Sequence, residues 1–390
     1  GSKGANLFFL TDDHAPHRRV VTLDATRPRK GPREVVAERP DTLSGGALVG
    51  DRMILAYRNE AQTTAELVEL DGRKVGDVPL PGVGTAAGFG GKAGDPETFF
   101  SFSGFVTPAS IYRFDTATRQ YQPFAQPDLP FAPDAFGIEQ RLYPSKDGTM
   151  IPITILRKTA LADHAIAAPT ILYGYGGFNI ALTPGYSAVR MAWLEQGGVY
   201  AIANLRGGGE FGKAWHDAGR GANKQNVFDD FIAAGEWLKA NGFTPQDGLA
   251  IEGRSNGGLL VGAVVNQRPD LFAAALPAVG VMDMLRFDRF TAGRYWVDDY
   301  GSPENRDDFP LLYGYSPYHN ILGGKDYPAI LVSTADTDDR VVPAHSFKYA
   351  AALQAADLGA KPRLLRVESR AGHGAGKPVD KLIDEYADSY

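Results

Sequence analysis

Apolar segments alternate with helical patterns through the last two thirds of the chain, and this alternation restricts the fold more than any other feature. The continuous apolar segments are PTILYGY, GVYAIANLR, LAIEG and YPAILVSTA, and each is followed by a segment with the spacing of an amphipathic helix. Such alternation is typical of a parallel sheet covered by helices. The sequence therefore predicts an α/β domain with a mostly parallel, doubly wound sheet over residues 131–390.

Residues 1–130 have a different pattern, in which short β-type segments alternate with turn residues. One unit covers residues 41–82 and a second covers residues 83–126, each with four strand candidates. Asp71-Gly72 between two candidates is a hairpin signal. Four short strands repeating about every 43 residues is the period of a β-propeller blade. We therefore predict propeller blades, and a small β-sandwich is the alternative.

The number of blades is too small for a closed propeller. Before residue 41 there are three strand candidates, NLFFLT, RRVVTL and REVVAE, which resemble a blade without its first strand. Propellers close with about four to eight blades, and here there are not quite three. The interpretation that we favour is that residues 1–130 are the C-terminal blades and that an earlier part of the protein is absent from this chain. An open remnant is the alternative.

Composition excludes several classes of function. The formal net charge of −6 does not favour a nucleic-acid partner. The absence of cysteine excludes disulfides, thiolate metal sites and a cysteine nucleophile. No apolar run approaches the roughly 18 residues of a membrane span, so we expect a soluble protein without a membrane partner. The compartment, cytoplasm or periplasm, stays open.

A serine flanked by glycines stands where one apolar segment meets the following helical segment. The residues are Gly253-Arg254-Ser255-Asn256-Gly257, a G-x-S-x-G motif. In a nucleophile elbow the serine occupies a sharp strand-to-helix turn that projects its hydroxyl above the sheet. The N–H groups at the start of the helix, here that of Asn256, then face developing negative charge. The motif in this context predicts that Ser255 is a catalytic nucleophile.

A serine nucleophile needs a histidine base, and three histidines follow Ser255. In α/β-hydrolases the order along the chain is serine, acid, histidine, and His319 comes before the last clear strand and the acids after it. His345 begins a helical segment, which favours a surface or capping role. His373 lies in the glycine-rich loop RAGHGAGK after a strand-like segment. We therefore predict that His373 is the base.

The acid that orients this histidine should lie in the loop after YPAILVSTA. That loop contains Asp336, Asp338 and Asp339. Spacing alone does not choose among them. At most one orients the histidine, and we expect the others to bind backbone N–H groups of the loop.

A second donor to a developing oxyanion is expected in the loop after PTILYGY. Residues 173–179 of this loop read YGYGGFN. Glycines allow the backbone to come close to a substrate, and a tyrosine hydroxyl can replace the usual backbone N–H. The alternative is a turn whose tyrosines belong to the core.

Several long motifs together resemble the prolyl oligopeptidase family of serine peptidases. They are YGYGGFNI, NLRGGGEFG, ANKQNVFDDF, GRSNGGLL, NQRPDLF, VGVMDML, DTDDRVVPAHS and AGHGAGKP. The resemblance covers almost all of residues 131–390 and, more loosely, the blades. It implies an α/β-hydrolase domain capped by a seven-bladed propeller. By that pattern the chain lacks an N-terminal hydrolase segment, about four blades and the end of the last helix.

The resemblance also implies roles that spacing left open. It makes Asp338 the acid of the triad, Tyr175 the oxyanion tyrosine and Asn256 the backbone donor. Arg340 matches an arginine that holds a substrate carbonyl. The pocket for the residue before the cleaved bond is matched by Phe178, Val281, Trp296, Tyr300 and Val341. Arg294-Tyr295 stand before Trp296 where some relatives carry smaller residues, which leaves fine specificity open.

The function that these expectations describe is a serine endopeptidase. It would hydrolyse short proline-containing peptides on the carboxyl side of proline through an acyl-enzyme, with no metal or organic cofactor, as a monomer. One alternative is a related oligopeptidase that cuts after basic residues, or an aminopeptidase of the same clan. A more distant alternative is a propeller binding module with an inactive hydrolase domain.

Overall fold

Three four-stranded antiparallel sheets and one eight-stranded mixed sheet occur in the part of the chain that is described here. The computed structural model describes residues 1–59, 62–92, 94–163, 166–374 and 376–390. The chain divides into one unit of Gly1–Pro133, Ala181–Ala188 and Gly209–Trp215, and another of Asp134–Ile180, Val189–Gly208 and His216–Tyr390. The domain boundary between residues 130 and 131 stays a prediction, and no sequence feature indicated that the two short later segments join the first unit.

The first unit contains the three four-stranded sheets, and in each the strands pair in chain order. Their strands are β1 (Ser2–Lys3), β2 (Asn6–Thr11), β3 (Arg19–Asp24) and β4 (Arg33–Val36); β5 (Thr42–Val49), β6 (Arg52–Asn59), β7 (Gln62–Glu69) and β8 (Lys74–Asp77); and β9 (Thr85–Gly88), β10 (Glu97–Ser103), β11 (Ser110–Asp115) and β12 (Gln120–Ala125). The predicted four-stranded repeats are therefore confirmed.

The first sheet has one strand more than the sequence predicted. We expected three strands before residue 41, but β1 pairs with β2 through Ser2–Leu7 and Lys3–Asn6. The strand has two residues, both exposed and polar, so it carries no alternating apolar pattern. Its place in the sheet depends on pairing with β2, which the sequence does not reveal.

Alternation of buried and exposed side chains explains the strands of the third sheet. In β10 the side chains of Phe100 and Phe102 are buried, while Phe99 and Ser101 between them are exposed. A strand that shows this period of two buries one face of its sheet. The buried face joins a cluster that also contains Phe114.

The second unit contains the eight-stranded sheet, whose order is β13-β14-β16-β15-β17-β18-β19-β20. The strands are β13 (Phe136–Pro144), β14 (Met150–Lys158), β15 (Thr170–Tyr173), β16 (Val199–Ala203), β17 (Leu249–Arg254), β18 (Ala274–Ala278), β19 (Ala329–Ala335) and β20 (Arg363–Glu368). β14 pairs antiparallel with β13 and β16, and the strands from β16 to β20 pair in parallel. The predicted mostly parallel sheet is confirmed.

Nine α-helices occur in the described part of the chain. They are α1 (Thr159–Asp163), α2 (Ala188–Glu195), α3 (Lys213–Asp217), α4 (Gln225–Ala240), α5 (Asn256–Gln267), α6 (Val297–Tyr300), α7 (Asp308–Tyr315), α8 (Ala344–Ala355) and α9 (Val379–Ser389). Among these helices, none combines the length and the apolar character that a membrane crossing requires.

The strand order creates a switch point that positions the functional loops. β15 lies between β16 and β17, so the chain moves to one side of β15 and then to the other. In open α/β sheets, ligands bind beyond the carboxyl ends of the strands at such a point. The loop 173–179 follows β15 and Ser255 follows β17, so both lie at this edge.

Candidate active site

The turn between β17 and α5 is as sharp as the motif predicts. Ser255 has φ +58° and ψ −118°, a conformation that side chains rarely adopt. Its N–H donates to the carbonyl oxygen of Ala278 at 2.9 Å. A β-carbon on Gly253 would lie 2.2 Å from the carbonyl oxygen of Gly257, and one on Gly257 would lie 2.7 Å from that of Gly174. The two glycines of the motif are therefore required by close backbone contacts.

One of the three candidate aspartates contacts His373. Nδ1 of His373 lies 2.7 Å from Oδ2 of Asp338, whose side chain is fully buried. The other carboxylate oxygen, Oδ1, accepts the N–H groups of Arg340 at 3.0 Å and Val341 at 2.9 Å. Asp336 and Asp339 are exposed. The structure thus brings Asp338 and His373 together, with Asp338 fixed by its own loop.

Hydrogen bonds also join the loop of Asp338 to the loop of His373. Thr337 donates to the carbonyl oxygen of Ala371 through its N–H at 3.2 Å and through its hydroxyl at 2.7 Å. The N–H of Ala371 lies 3.4 Å from Oδ1 of Asp336. Since Ala371 precedes His373 by two residues, these bonds hold the loop of His373 against the end of β19.

The loop after β15 places a tyrosine hydroxyl beside the serine. Burial is the main effect on the pKa of Tyr175 and raises it above its ordinary value, while the nearby side chain of Ser255 acts in the opposite direction. The phenol therefore stays protonated and able to donate at neutral pH. Two further residues of this loop, Phe178 and Asn179, have positive φ angles of +57° and +55°. The N–H of Phe178 donates to Oδ1 of Asp299 at 3.1 Å, and the N–H of Asn179 donates to the carbonyl oxygen of Gly207 at 3.2 Å.

The side chain of Asn256 connects three parts of the site. Its Nδ2 donates to the carbonyl oxygen of Tyr175. Its Oδ1 accepts the hydroxyl of Tyr300 at 2.9 Å and the ammonium of Lys224 at 3.2 Å. Asn256 is 2 % exposed, and both polar atoms of its side chain have partners inside the protein, as burial requires.

The predicted pocket residues are not equally accessible. Phe178 packs edge-on against Tyr300 with centroids 5.3 Å apart. Phe287 links Tyr300 and the half-buried Trp296, with centroids at 5.3 and 6.5 Å. Tyr300, Val281 and Val341 are almost fully buried, whereas Arg340 is exposed. The structure therefore brings the three aromatic residues of the predicted pocket together.

Several residues of this network were not predicted from the sequence. Oδ1 of Asp299 accepts a hydrogen bond from the N–H of Phe178 at 3.1 Å. The same oxygen lies 2.6 Å from Nε2 of His216. Phe287 packs between two predicted pocket residues. Lys224 lies in the quoted motif ANKQNVFDDF, which was the one available signal for it, but a lysine before a helical segment is ordinarily exposed.

The predicted surface or capping role of His345 is wrong. His345 is 1 % exposed, and its Nδ1 accepts the N–H of Asp283 at 3.1 Å. Its ring packs edge-on against Phe290 with centroids 5.0 Å apart. The position in the first turn of α8 suggested exposure, but the ring points into the core, where burial lowers its pKa to about 4.

We predict an acid-sensitive contribution of His345 to stability. A free histidine has a pKa of about 6.5, so between pH 6.5 and 4 the unfolded chain binds a proton that the folded protein excludes. Stability should fall through this window as pH falls, by about 3 kcal/mol at pH 4. The urea concentration at the midpoint of unfolding should decrease less between pH 7 and 4.5 in His345→Gln than in wild type. The exposed His14 provides the control His14→Gln, and an equal loss in all three proteins would contradict the prediction.

No group of three or more histidine, aspartate or glutamate side chains suited to a metal ion occurs among the described residues. A serine after β17, an aspartate after β19 and a histidine after β20 follow the chain order of α/β-hydrolases. The fold and the site together define an α/β-hydrolase preceded by propeller blades.

Comparisons with known proteins narrow this class. The model of the "Prolyl oligopeptidase family" matches residues 184–390, and that of the "Prolyl oligopeptidase, N-terminal beta-propeller domain" matches residues 1–127. The chain belongs to the prolyl oligopeptidase family. It is 45 % identical over 390 residues to a prolyl endopeptidase of Elizabethkingia miricola, covering 99 % of this chain and 55 % of the relative. A prolyl endopeptidase of Dictyostelium discoideum is 40 % identical, covering 100 % and 53 %.

Solved structures give the same result. Prolyl oligopeptidase B from Galerina marginata, bound to a 35-residue hydrolysis and macrocyclization substrate, matches with a TM-score of 0.95 at 34 % identity, covering 100 % of this chain and 56 % of that one. A structure from a study of two prolyl endopeptidases matches with a TM-score of 0.83 at 56 % identity, covering 100 % and 55 %. The chain spans about half the length of the relatives that it matches.

Proposed function

We propose that the full natural chain is a serine endopeptidase that hydrolyses short peptides on the carboxyl side of proline. The observation that carries the proposal is the contact of His373 with the buried Asp338, on the loops that follow β20 and β19, while Ser255 occupies the strained turn after β17. These are the parts that acyl transfer by a serine requires. The names of the relatives, prolyl endopeptidases, support proline as the preferred residue.

In this proposal His373 acts through its second ring nitrogen. Nδ1 is bound to Asp338, so Nε2 accepts the proton of the Ser255 hydroxyl as the oxygen attacks the peptide carbonyl. His373 then gives this proton to the leaving nitrogen as the C–N bond breaks, which leaves an ester on Ser255. Water, activated by the same nitrogen, hydrolyses the ester and releases the peptide.

The oxyanion of the tetrahedral intermediate would be held by two donors. One is the hydroxyl of Tyr175, whose pKa is influenced by the nearby side chain of Ser255. The other is the N–H of Asn256, the first residue of α5, where backbone N–H groups lack acceptors within the helix. Fixed donors in a partly buried site stabilise developing charge without reorganisation.

We predict that Tyr175→Phe lowers kcat by about 10²–10³-fold and changes KM little, because the hydroxyl acts on the oxyanion and not on the bound peptide. Steady-state kinetics on a proline reporter peptide measure both constants. Tyr173→Phe is the matched control, because Tyr173 lies two residues before Tyr175 in the chain and its ring packs on that of Tyr200. A loss in kcat shared equally by the two variants would contradict the role of Tyr175.

The proposed preference for proline depends on the aromatic pocket. The flat ring of Trp296 suits a proline ring, which has no N–H to satisfy. Burying three methylenes contributes roughly 2.4 kcal/mol, or about fifty-fold. Apolar burial alone thus gives preference, and exclusion of larger side chains by the buried Tyr300 and its neighbours must supply the rest.

Three reporter peptides test this function against its alternatives. We expect an N-blocked peptide with proline before the scissile bond to be hydrolysed at least fifty-fold faster than its arginine analogue. An arginine preference would indicate the related oligopeptidase that cuts after basic residues. Hydrolysis only of the peptide with a free amino terminus would indicate an aminopeptidase. No turnover of any of them, with Ser255 unreactive to a fluorophosphonate, would indicate a binding module.

A further inference from the structure

Lys224 is a buried lysine directly behind the candidate site. It is 1 % exposed, although lysine is almost never fully buried unless it is paired. Its ammonium donates to the carbonyl oxygen of Gly176 at 2.8 Å and to Oδ1 of Asn256 at 3.2 Å. Both acceptors are neutral oxygens. Keeping a cation here costs desolvation energy that these bonds repay only in part, so the position calls for an explanation.

The two acceptors belong to the segments that carry the proposed oxyanion donors. Gly176 follows Tyr175 in the loop after β15, and Asn256 follows Ser255 in the turn after β17. The side chain of Asn256 also donates to the carbonyl oxygen of Tyr175. The ammonium of Lys224 thus bridges the tyrosine loop and the first residue of α5.

We propose that Lys224 is a positioning residue for the reaction, whose ammonium fixes the Tyr175 loop against Asn256 and adds positive potential beneath the oxyanion site. This inference rests on the proposed peptidase function. Lys224 itself does not touch the substrate, because its bonds go to Gly176 and Asn256 and its side chain is buried. Charge-assisted hydrogen bonds are roughly twice as strong as neutral ones, which is why a cation suits this task.

The groups that face Lys224 come from the elements around it. Asp299 and Tyr300 belong to α6, and the Tyr300 ring centroid lies 5.4 Å from the ammonium. Asp299 favours the charged form, but burial is the larger effect and lowers the pKa of Lys224 to about 8. Asp299 in turn binds His216. Lys224 therefore changes charge within a pH range in which the enzyme can be assayed.

The pH dependence has opposite signs for stability and for catalysis. Between pH 8 and the ordinary lysine pKa of 10.5, the unfolded chain holds a proton that the folded chain has released. Stability from this group therefore rises with pH through that window. Catalysis should fall over the same window, because the neutral amine keeps two N–H groups but loses the charge. A decline in activity above pH 8 without unfolding would separate a positioning role from a structural one.

A peptide aldehyde and its matching alcohol test the oxyanion site itself. The aldehyde carbon bonds to Oγ of Ser255 as the C=O π bond breaks and the hydroxyl proton passes to His373. The electron pair of the broken bond makes the former carbonyl oxygen an oxyanion, which the oxyanion donors hold. The alcohol fills the same pocket without this bond. The ratio of their inhibition constants thus reports the oxyanion site separately from peptide binding.

The variant is Lys224→Met in the full natural chain. The control is Lys239→Met, which replaces a half-buried lysine in the last turn of α4, the helix that Lys224 directly precedes. We expect Lys224→Met to lower kcat and the preference for the aldehyde by about 10–100-fold, with KM and alcohol binding within about threefold. Lys239→Met should match wild type. An unchanged aldehyde preference in a folded Lys224→Met protein would overturn the proposal.

Wild-type protein gives an independent test if Lys224→Met does not fold. Its preference for the aldehyde over the alcohol should fall by about tenfold between pH 7 and 9.5, because the Lys224 ammonium loses its charge. The melting temperature should not fall over the same range. A preference that is constant to pH 9.5 would overturn the role of Lys224.

The proposed function is tested separately, by hydrolysis and by labelling of Ser255 in wild type at pH 7. Active wild type with a fully active Lys224→Met would reject only the inference on Lys224.

Discussion

Replacing Ser255 by alanine should lower kcat for a proline reporter peptide by about a millionfold and leave peptide binding nearly unchanged. The reason is that alanine fills the turn but has no oxygen to attack the carbonyl. The remaining rate would come from the oxyanion donors and from binding alone. Alanine can occupy the same position as serine, since the conformational strain at φ +58° is equal for the two residues.

Hydrolysis should be followed under single-turnover conditions, with binding of the peptide measured on the same preparation. Ser333, a buried serine of β19, provides the control Ser333→Ala, which should keep kcat within about threefold of wild type. If Ser255→Ala kept a hundredth or more of the wild-type kcat after contaminating activity was excluded, another residue would have to be the nucleophile.

Replacing Asp338 by asparagine should lower kcat by about 10⁴-fold at neutral pH. The asparagine oxygen can still accept the N–H groups of Arg340 and Val341, so its amide NH₂ would face Nδ1 of His373. That nitrogen would have to become an acceptor, which moves the ring proton to Nε2 and removes the base. The loss would come from the wrong tautomer in an otherwise unchanged fold.

The same loop supplies two matched controls for Asp338→Asn. Asp336 and Asp339 are exposed, and Asp336→Asn and Asp339→Asn should keep kcat within about threefold. Comparing the three variants decides a question that spacing left open. A loss for Asp339→Asn as large as that for Asp338→Asn would contradict the proposed acid.

Both parts of the fold could be predicted because each has its own repeated pattern. The alternation of Phe100 and Phe102 with Ser101 and Ser103 predicts a strand with one buried face, and β10 has that pattern, with Phe99 on its exposed face. The continuous apolar segment of β16 predicts a strand that is covered on both sides, and all of its residues are buried. The two-residue β1 has no pattern to detect, so the sequence could not reveal it.

The candidate site could be predicted only where backbone geometry dictates residue type. The glycines around Ser255 are such a case, because β-carbons there would clash. The choice of Asp338 depended on the family resemblance, since three aspartates share one loop. Lys224 and His345 stand at helix starts, where polar side chains are usually exposed, and their burial depends on contacts with segments far away in the chain.

Labelling with a fluorophosphonate, followed by peptide mass mapping, tests the central claim most directly. In the full natural chain we expect one phosphonyl adduct, on the peptide that contains Ser255, formed in parallel with loss of hydrolysis and prevented by a bound proline peptide. An adduct on another residue, or inactivation with Ser255 unmodified, would contradict the account.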